Sequence, residues 1–316
     1  MKKILVILFL SLFSLTSYAQ SILGGKVTGN FQMDIQASKE DSIIGAEKVN
    51  EKLLSNAFAN INYTSGDFSA GLRFESYLNP ILGFDAQYKG VGIPYRYASY
   101  KKDYLEVTVG NYYEQFGNGL IFRSYEERNL GLDNAMDGLR IVAKPVSGVS
   151  IKGVIGKQRY YWEDIWKNNN GLIRGLDAEI SLNDLITKLN ASATRLTLGG
   201  SFVSVYEQAN PKIITLDGDM YKMIIPENVG AMAVRFDFSH KAFFLSGEYA
   251  YKGQDLNAVN GYIYKPGNAL LLKASYSVKG LGISLEAKRI DNMSFKSKRS
   301  ETGNMLNVNY LPAITR

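Results

Sequence analysis

The chain has 316 residues, 46% hydrophobic and 21% charged, with 36 Lys and Arg against 30 Asp and Glu, one His and no Cys. The absence of cysteine excludes disulfides and thiolate metal sites, and a lone histidine leaves transition metals without their usual cluster of ligands. A net charge of +6 is too mild for a nucleic-acid footprint, while 21 Tyr and 15 Phe suit half-buried strands and membrane-interface girdles.

The first segment, MKKILVILFLSLFSLTSYAQ, reads as a secretory signal peptide over residues 1–19. Lys2 and Lys3 form a basic start, Ile4 to Leu15 an apolar core, and Ser17-Tyr18-Ala19 a small-x-small cleavage site. The apolar run falls short of the roughly 20 residues that a spanning helix needs. No later run is long enough either, so any membrane crossing in residues 20–316 falls to strands.

From Gly24 to Ala37 the polar Thr28, Asn30, Gln32 and Asp34 alternate with Val27, Phe31, Met33 and Ile35, the period-two signature of a strand between two different media. The next strands are expected at 55–65 and 67–78, where Phe68, Ala70, Leu72 and Phe74 oppose Ser69, Gly71, Arg73 and Glu75. Segments 94–101, 103–113, 137–145 and 148–160 continue the pattern. In 172–182, Leu176 and Ile180 oppose Asp177 and Glu179. A long strand is expected at 187–206, then others at 229–239, 241–252, 268–279, 281–291 and 304–311, about fourteen in all.

The connections are the sharper signal. Short turns fall near 66, 102, 146, 183, 240 and 280. Long polar connections fall at 38–54, 79–93, 114–136, 161–171, 207–228, 253–267 and 292–303. Strict alternation of short and long suits an outer-membrane barrel, with short periplasmic turns and long outer loops. The expected fold is therefore all-β: an antiparallel transmembrane β-barrel with lipid outside and water within. A secreted β-sandwich would need to bury the same apolar residues in a core of its own.

The stretches GKVTGNFQMDIQ, GNYYEQFGNGLIFRSYEERNLGLDNAMDGLR at 110–140 and NVNYLPAIT resemble an outer-membrane β-barrel family of unknown function from the Bacteroidota. The resemblance covers essentially the whole chain and is most specific over 110–140. It implies location and fold, a chain truncated at its C-terminus, and no activity.

Candidate chemistry is sparse. His240 lies in an expected tight turn, which argues against a Ser-His-Asp site. Asp217 and Asp219 have only a turn-like spacing for calcium. Phosphate-loop and dinucleotide motifs are absent, and no cofactor is expected. The richest stretch is 114–136, with Glu114, Arg123, Glu126, Glu127 and Arg128 around apolar Leu120, Ile121 and Phe122. Folded inward, its mixed charges would form a selective constriction, with Arg73 and Glu75 lining the wet interior. Tyr160, Tyr161, Trp162 and Trp166 could stack on a sugar or anchor at the membrane interface; the anchor is the favoured reading.

The expectation is a monomeric, non-enzymatic outer-membrane barrel, either a porin-like channel for small polar solutes or a surface-binding or structural component without a conducting pore. Its expected partners are outer-membrane lipid, the barrel-assembly machinery during insertion and small polar solutes, with no nucleic acid.

Overall fold

The structure, a computed structural model, describes residues 21–22, 24–37, 39–40, 42–45, 51–164, 167, 170–209, 212–216 and 219–311. The expected signal peptide and residues 312–316 lie outside them. The chain is all-β and divides into two units, residues 1–82 with 89–100, and residues 83–88 with 101–316. Among the described residues no helix is long and apolar enough to cross a membrane.

In the first unit the strands β1 (Gly25–Ala37), β2 (Leu53–Ser65), β3 (Phe68–Asn79) and β4 (Gly90–Lys102, through Tyr100) pair antiparallel in chain order. A two-residue strand, Ser21–Ile22, is hydrogen-bonded to β1. The parity read from sequence holds. Leu72 and Phe74 are exposed, whereas Arg73 and Glu75 on the opposite face are buried. β4 begins earlier than expected and runs through Pro94. The register shifts there, with Arg73 opposite Tyr95 but Glu75 opposite Gly92. The extra residue is a bulge, which accommodates a residue with no amide hydrogen to donate.

In the second unit the strands β5 (Leu105–Tyr112), β6 (Met136–Ala143), β7 (Val149–Gln158), β8 (Leu172–Ser181) and β9 (Thr194–Tyr206) pair antiparallel in chain order. It ends with β10 (Asn228–His240), β11 (Phe243–Lys252), β12 (Gly267–Val278) and β13 (Leu281–Asp291). Cross-strand register sets Leu176, Phe202, Met232 and Tyr251 side by side in one exposed apolar row. The opposite parity carries Asp177, Ser201, Arg235 and Glu248, all facing away from that row.

Three expectations fail. Residues 187–193 are not strand, because the connection holds a helical turn at Leu182–Leu185 and a 3-10 turn at Thr187–Leu189. Asn183 organises it: its amide donates to the Leu189 and Thr194 carbonyls at 2.8 Å each and its oxygen accepts from the Leu196 amide. The strict alternation of short and long connections is broken at this point. Residues 304–311 form no strand beyond a single bridge, Lys296 to Asn307. The sheet is also not closed among the described residues: β13 pairs only with β12, and β1 has on its outer side only Ser21–Ile22. Its fourteen strands include that two-residue piece, not 304–311.

Candidate functional site

Residues 114–135 and 292–311 pack onto the concealed face of the second unit. Phe116, Leu120, Ile121 and Phe122 are fully buried, joined by Met293, Phe295 and Val308 from the later segment. The sheet makes room with small side chains. Ala231, Ala233, Ala250 and Ala269 line that face, and a Cβ added at Gly175 would meet the Phe116 ring at 2.8 Å. Burial stabilises each such Leu, Ile or Phe by about 1.5–3 kcal/mol, so a loop with its own apolar residues docks firmly.

Polar contacts fix the start of residues 114–135. Glu114 accepts from Arg140 Nε at 2.7 Å and from Lys152 Nζ at 2.8 Å, while Arg140 also pairs with Glu106 at 2.5 Å. Asn118 donates to Glu248 through its backbone amide at 2.8 Å and its side-chain amide at 2.7 Å. Glu248 is 1% exposed, and its Oε1 has no hydrogen-bond partner among the described residues. Gly117 lies between these anchors at φ +51, with its absent Cβ only 2.7 Å from the Glu248 carboxylate. Glycine takes both the positive φ and the close approach without strain.

The two segments also hold each other. Asn309 donates to the Leu120 carbonyl at 2.9 Å and the Met293 carbonyl at 2.7 Å, and accepts from the Phe295 amide. The Arg123 amide donates to the Val308 carbonyl and the Tyr310 amide to the Gly119 carbonyl.

Of the residues expected to form a constriction, Glu114 and Arg123 lie on facing strands of one short hairpin, and each engages partners of its own. Glu114 meets the sheet's basic residues. Arg123 stacks between the Tyr125 and Tyr310 rings, 4.2 Å from each centroid. Glu126 pairs with Arg128 at 2.7 Å, and Glu127 is exposed. Arg73 and Glu75 form a buried pair at 2.6 Å within the first unit, with Arg73 over the Tyr95 ring. Sequence reading missed Asn118 in the loop and Arg140, Lys152 and Glu248 in the sheet; the strand positions of the latter three were visible, but not the loop that meets them.

The Trp162 indole N–H donates to the Tyr88 carbonyl at 2.6 Å, and Arg159 lies over its ring. Trp166 and Asp217 lie outside the described residues. His240 ends β10 and pairs with the Thr194 hydroxyl at 2.7 Å, exposed. Among the described residues no three His, Cys, Asp or Glu are grouped to hold a metal.

An open cavity of about 890 Å³ lies beside the packed segments, built wholly within the second unit. Phe84, Tyr125, Tyr160, Tyr161 and Tyr310 line it, with Asp85, Lys296 and Glu301. Burial pushes the Tyr160 hydroxyl up to about 12, and its hydrogen bond to Glu301 adds to the shift. Burial also raises Glu301, but the Gly303 amide, the Tyr160 hydroxyl and nearby lysines outweigh it and hold the carboxyl below its ordinary value.

A family of unknown function, DUF6029, matches the chain over residues 1–316. The chain belongs to that family. No curated protein matches this DUF6029 chain. Among solved structures it is similar to a loop-deletion mutant of OmpT, an outer membrane protein of Vibrio cholerae, at 11% identity over 81% of this chain and 78% of that one, TM-score 0.39. It is also similar to a triple mutant of Rhodopseudomonas blastica porin, at 14% identity over 84% and 94%, TM-score 0.28. Pseudomonas aeruginosa OccD3 is similar at 10% identity over 81% and 67%, TM-score 0.34.

Proposed function

We propose that this DUF6029 chain is exported by its signal peptide and spans the outer membrane as a non-enzymatic β-barrel. Its interior is obstructed by residues 114–135 and 292–311, so that it passes small polar solutes only when those segments move. The observation that carries this is the opposed character of the two sheet faces. One parity exposes Leu176, Phe202, Met232 and Val234, a contiguous apolar surface that water would not tolerate at that extent. The other bears charged residues and is covered by a packed, apolar loop. Lipid outside, assembly machinery during insertion and a polar solute inside are the partners this reading needs. Bacteroidota origin belongs to the same reading, on the 110–140 stretch.

Planar-bilayer recording tests it. The wild type is expected to show little steady conductance. Asn118→Ala, which removes one side-chain anchor, and Gly117→Val, which clashes with Glu248, are expected to raise opening frequency. A wild type that conducts as a steadily open pore, or variants that leave the recordings unchanged, would remove the obstruction.

A further inference from the structure

The cavity beside the packed segments has the size of a small-molecule site, and its lining shows which chemistry it suits. Every charged group on its wall is already engaged by the protein. Asp85 accepts from the Tyr161 hydroxyl at 3.1 Å and from the Gln87 amide at 2.9 Å. Glu301 accepts from the Tyr160 hydroxyl and the Gly303 amide, each at 2.8 Å. Lys296 donates to the Gly303 carbonyl. No carboxylate or ammonium is left over for an ionic ligand.

The unused capacity is neutral. The hydroxyls of Tyr125, Tyr310 and Thr302, the side-chain amide of Gln87 and the Asn304 Nδ2 make no hydrogen bond among the described residues, and all belong to cavity-lining residues. Two of those hydroxyls sit on rings that Arg123 clamps at 4.2 Å and that meet edge to face at 5.8 Å, so their positions are set in advance. Fixed aromatic rings next to neutral donors and acceptors complement a molecule with apolar C–H faces and many hydroxyls.

We infer that this cavity is a binding site for an uncharged saccharide, with Tyr125 and Tyr310 as the stacking platform and Gln87, Thr302 and Asn304 bonding its hydroxyls. Arg123 is a positioning residue that holds the two rings. Unlike the conduction reading, this concerns equilibrium binding and is measured without a bilayer potential.

The test is calorimetric titration of the detergent-solubilised full chain with neutral hexasaccharides (α-1,4-, β-1,4- and β-1,3-linked glucans and a mannan), with oligogalacturonate as the charged comparison. At least one neutral probe is expected to bind, and oligogalacturonate is not. Tyr310→Ala and Gln87→Ala are each expected to weaken binding about tenfold, equivalent to about 1.4 kcal/mol. Gln87 is exposed and its side chain unbonded, so that variant folds irrespective of the outcome for Tyr310. Lack of binding by all four neutral probes, preference for oligogalacturonate, or unchanged affinity in Gln87→Ala would each overturn the assignment. None of these results bears on whether the protein conducts.

Discussion

At the scale of single residues, the second unit is held by a few paired charges with little access to water. Arg159 Nη1 lies 2.5 Å from Asp133 Oδ2, and both side chains are buried. Arg159→Met takes the guanidinium away from Asp133, which also accepts from the Tyr113 hydroxyl and the Ala135 amide. Loss of about 3–5 kcal/mol is expected, read as a lower melting temperature, and the double variant with Asp133→Leu is expected to recover much of it. The Tyr160–Glu301 contact has a pH signature. Tyr160 binds its proton more tightly in the folded chain, so its contribution is complete below the ordinary value of 10.0 and is lost as pH rises through about 12. Glu301 works in the opposite sense: its contribution is present above the ordinary 4.5 and is lost as pH falls through its lower folded value. Tyr160→Phe is expected to abolish the alkaline loss and to cost about 1 kcal/mol at neutral pH, measured by thermal melts across the pH range.

At the scale of elements, alternation was legible where the two faces differ. Leu72 and Phe74 against Arg73 and Glu75, and Leu176 against Asp177, could be assigned by parity alone, and burial agrees. It was illegible where both faces are apolar. In NVGAMAV, Val229, Ala231 and Ala233 face the packed loop while Met232 and Val234 face outward, so period two disappears into a continuous apolar run. Residues 304–311 deceived in the other direction. Their alternating Asn and apolar residues resemble a strand, yet Met305, Leu306 and Val308 fill the packed segment and Asn309 bonds its carbonyls. The outward face yields a sharp prediction. Val234 is 63% exposed. Val234→Arg is expected to cost about 2–4 kcal/mol and impair insertion if that face meets hydrocarbon, against no more than about 0.5 kcal/mol if it meets water. Unfolding from lipid vesicles distinguishes the two.

At the scale of the whole molecule, the reading turns on which medium each sheet face meets. Expressed in a Gram-negative host, the protein is expected to sediment with outer membranes and to need detergent to stay dispersed; recovery in the aqueous fraction would overturn the spanning reading. The fold class could be argued from sequence because it follows from pattern. The candidate site could not, because it depends on Asn309 meeting Leu120 across 189 positions of chain. That separation has a consequence for biogenesis. Phe116, Leu120, Ile121 and Phe122 are synthesised long before Met293, Phe295 and Val308, which cover them, so for much of its synthesis the chain carries an uncovered apolar cluster. If the chain is exported as proposed, a periplasmic holding chaperone is expected to protect that cluster until residues 292–311 arrive.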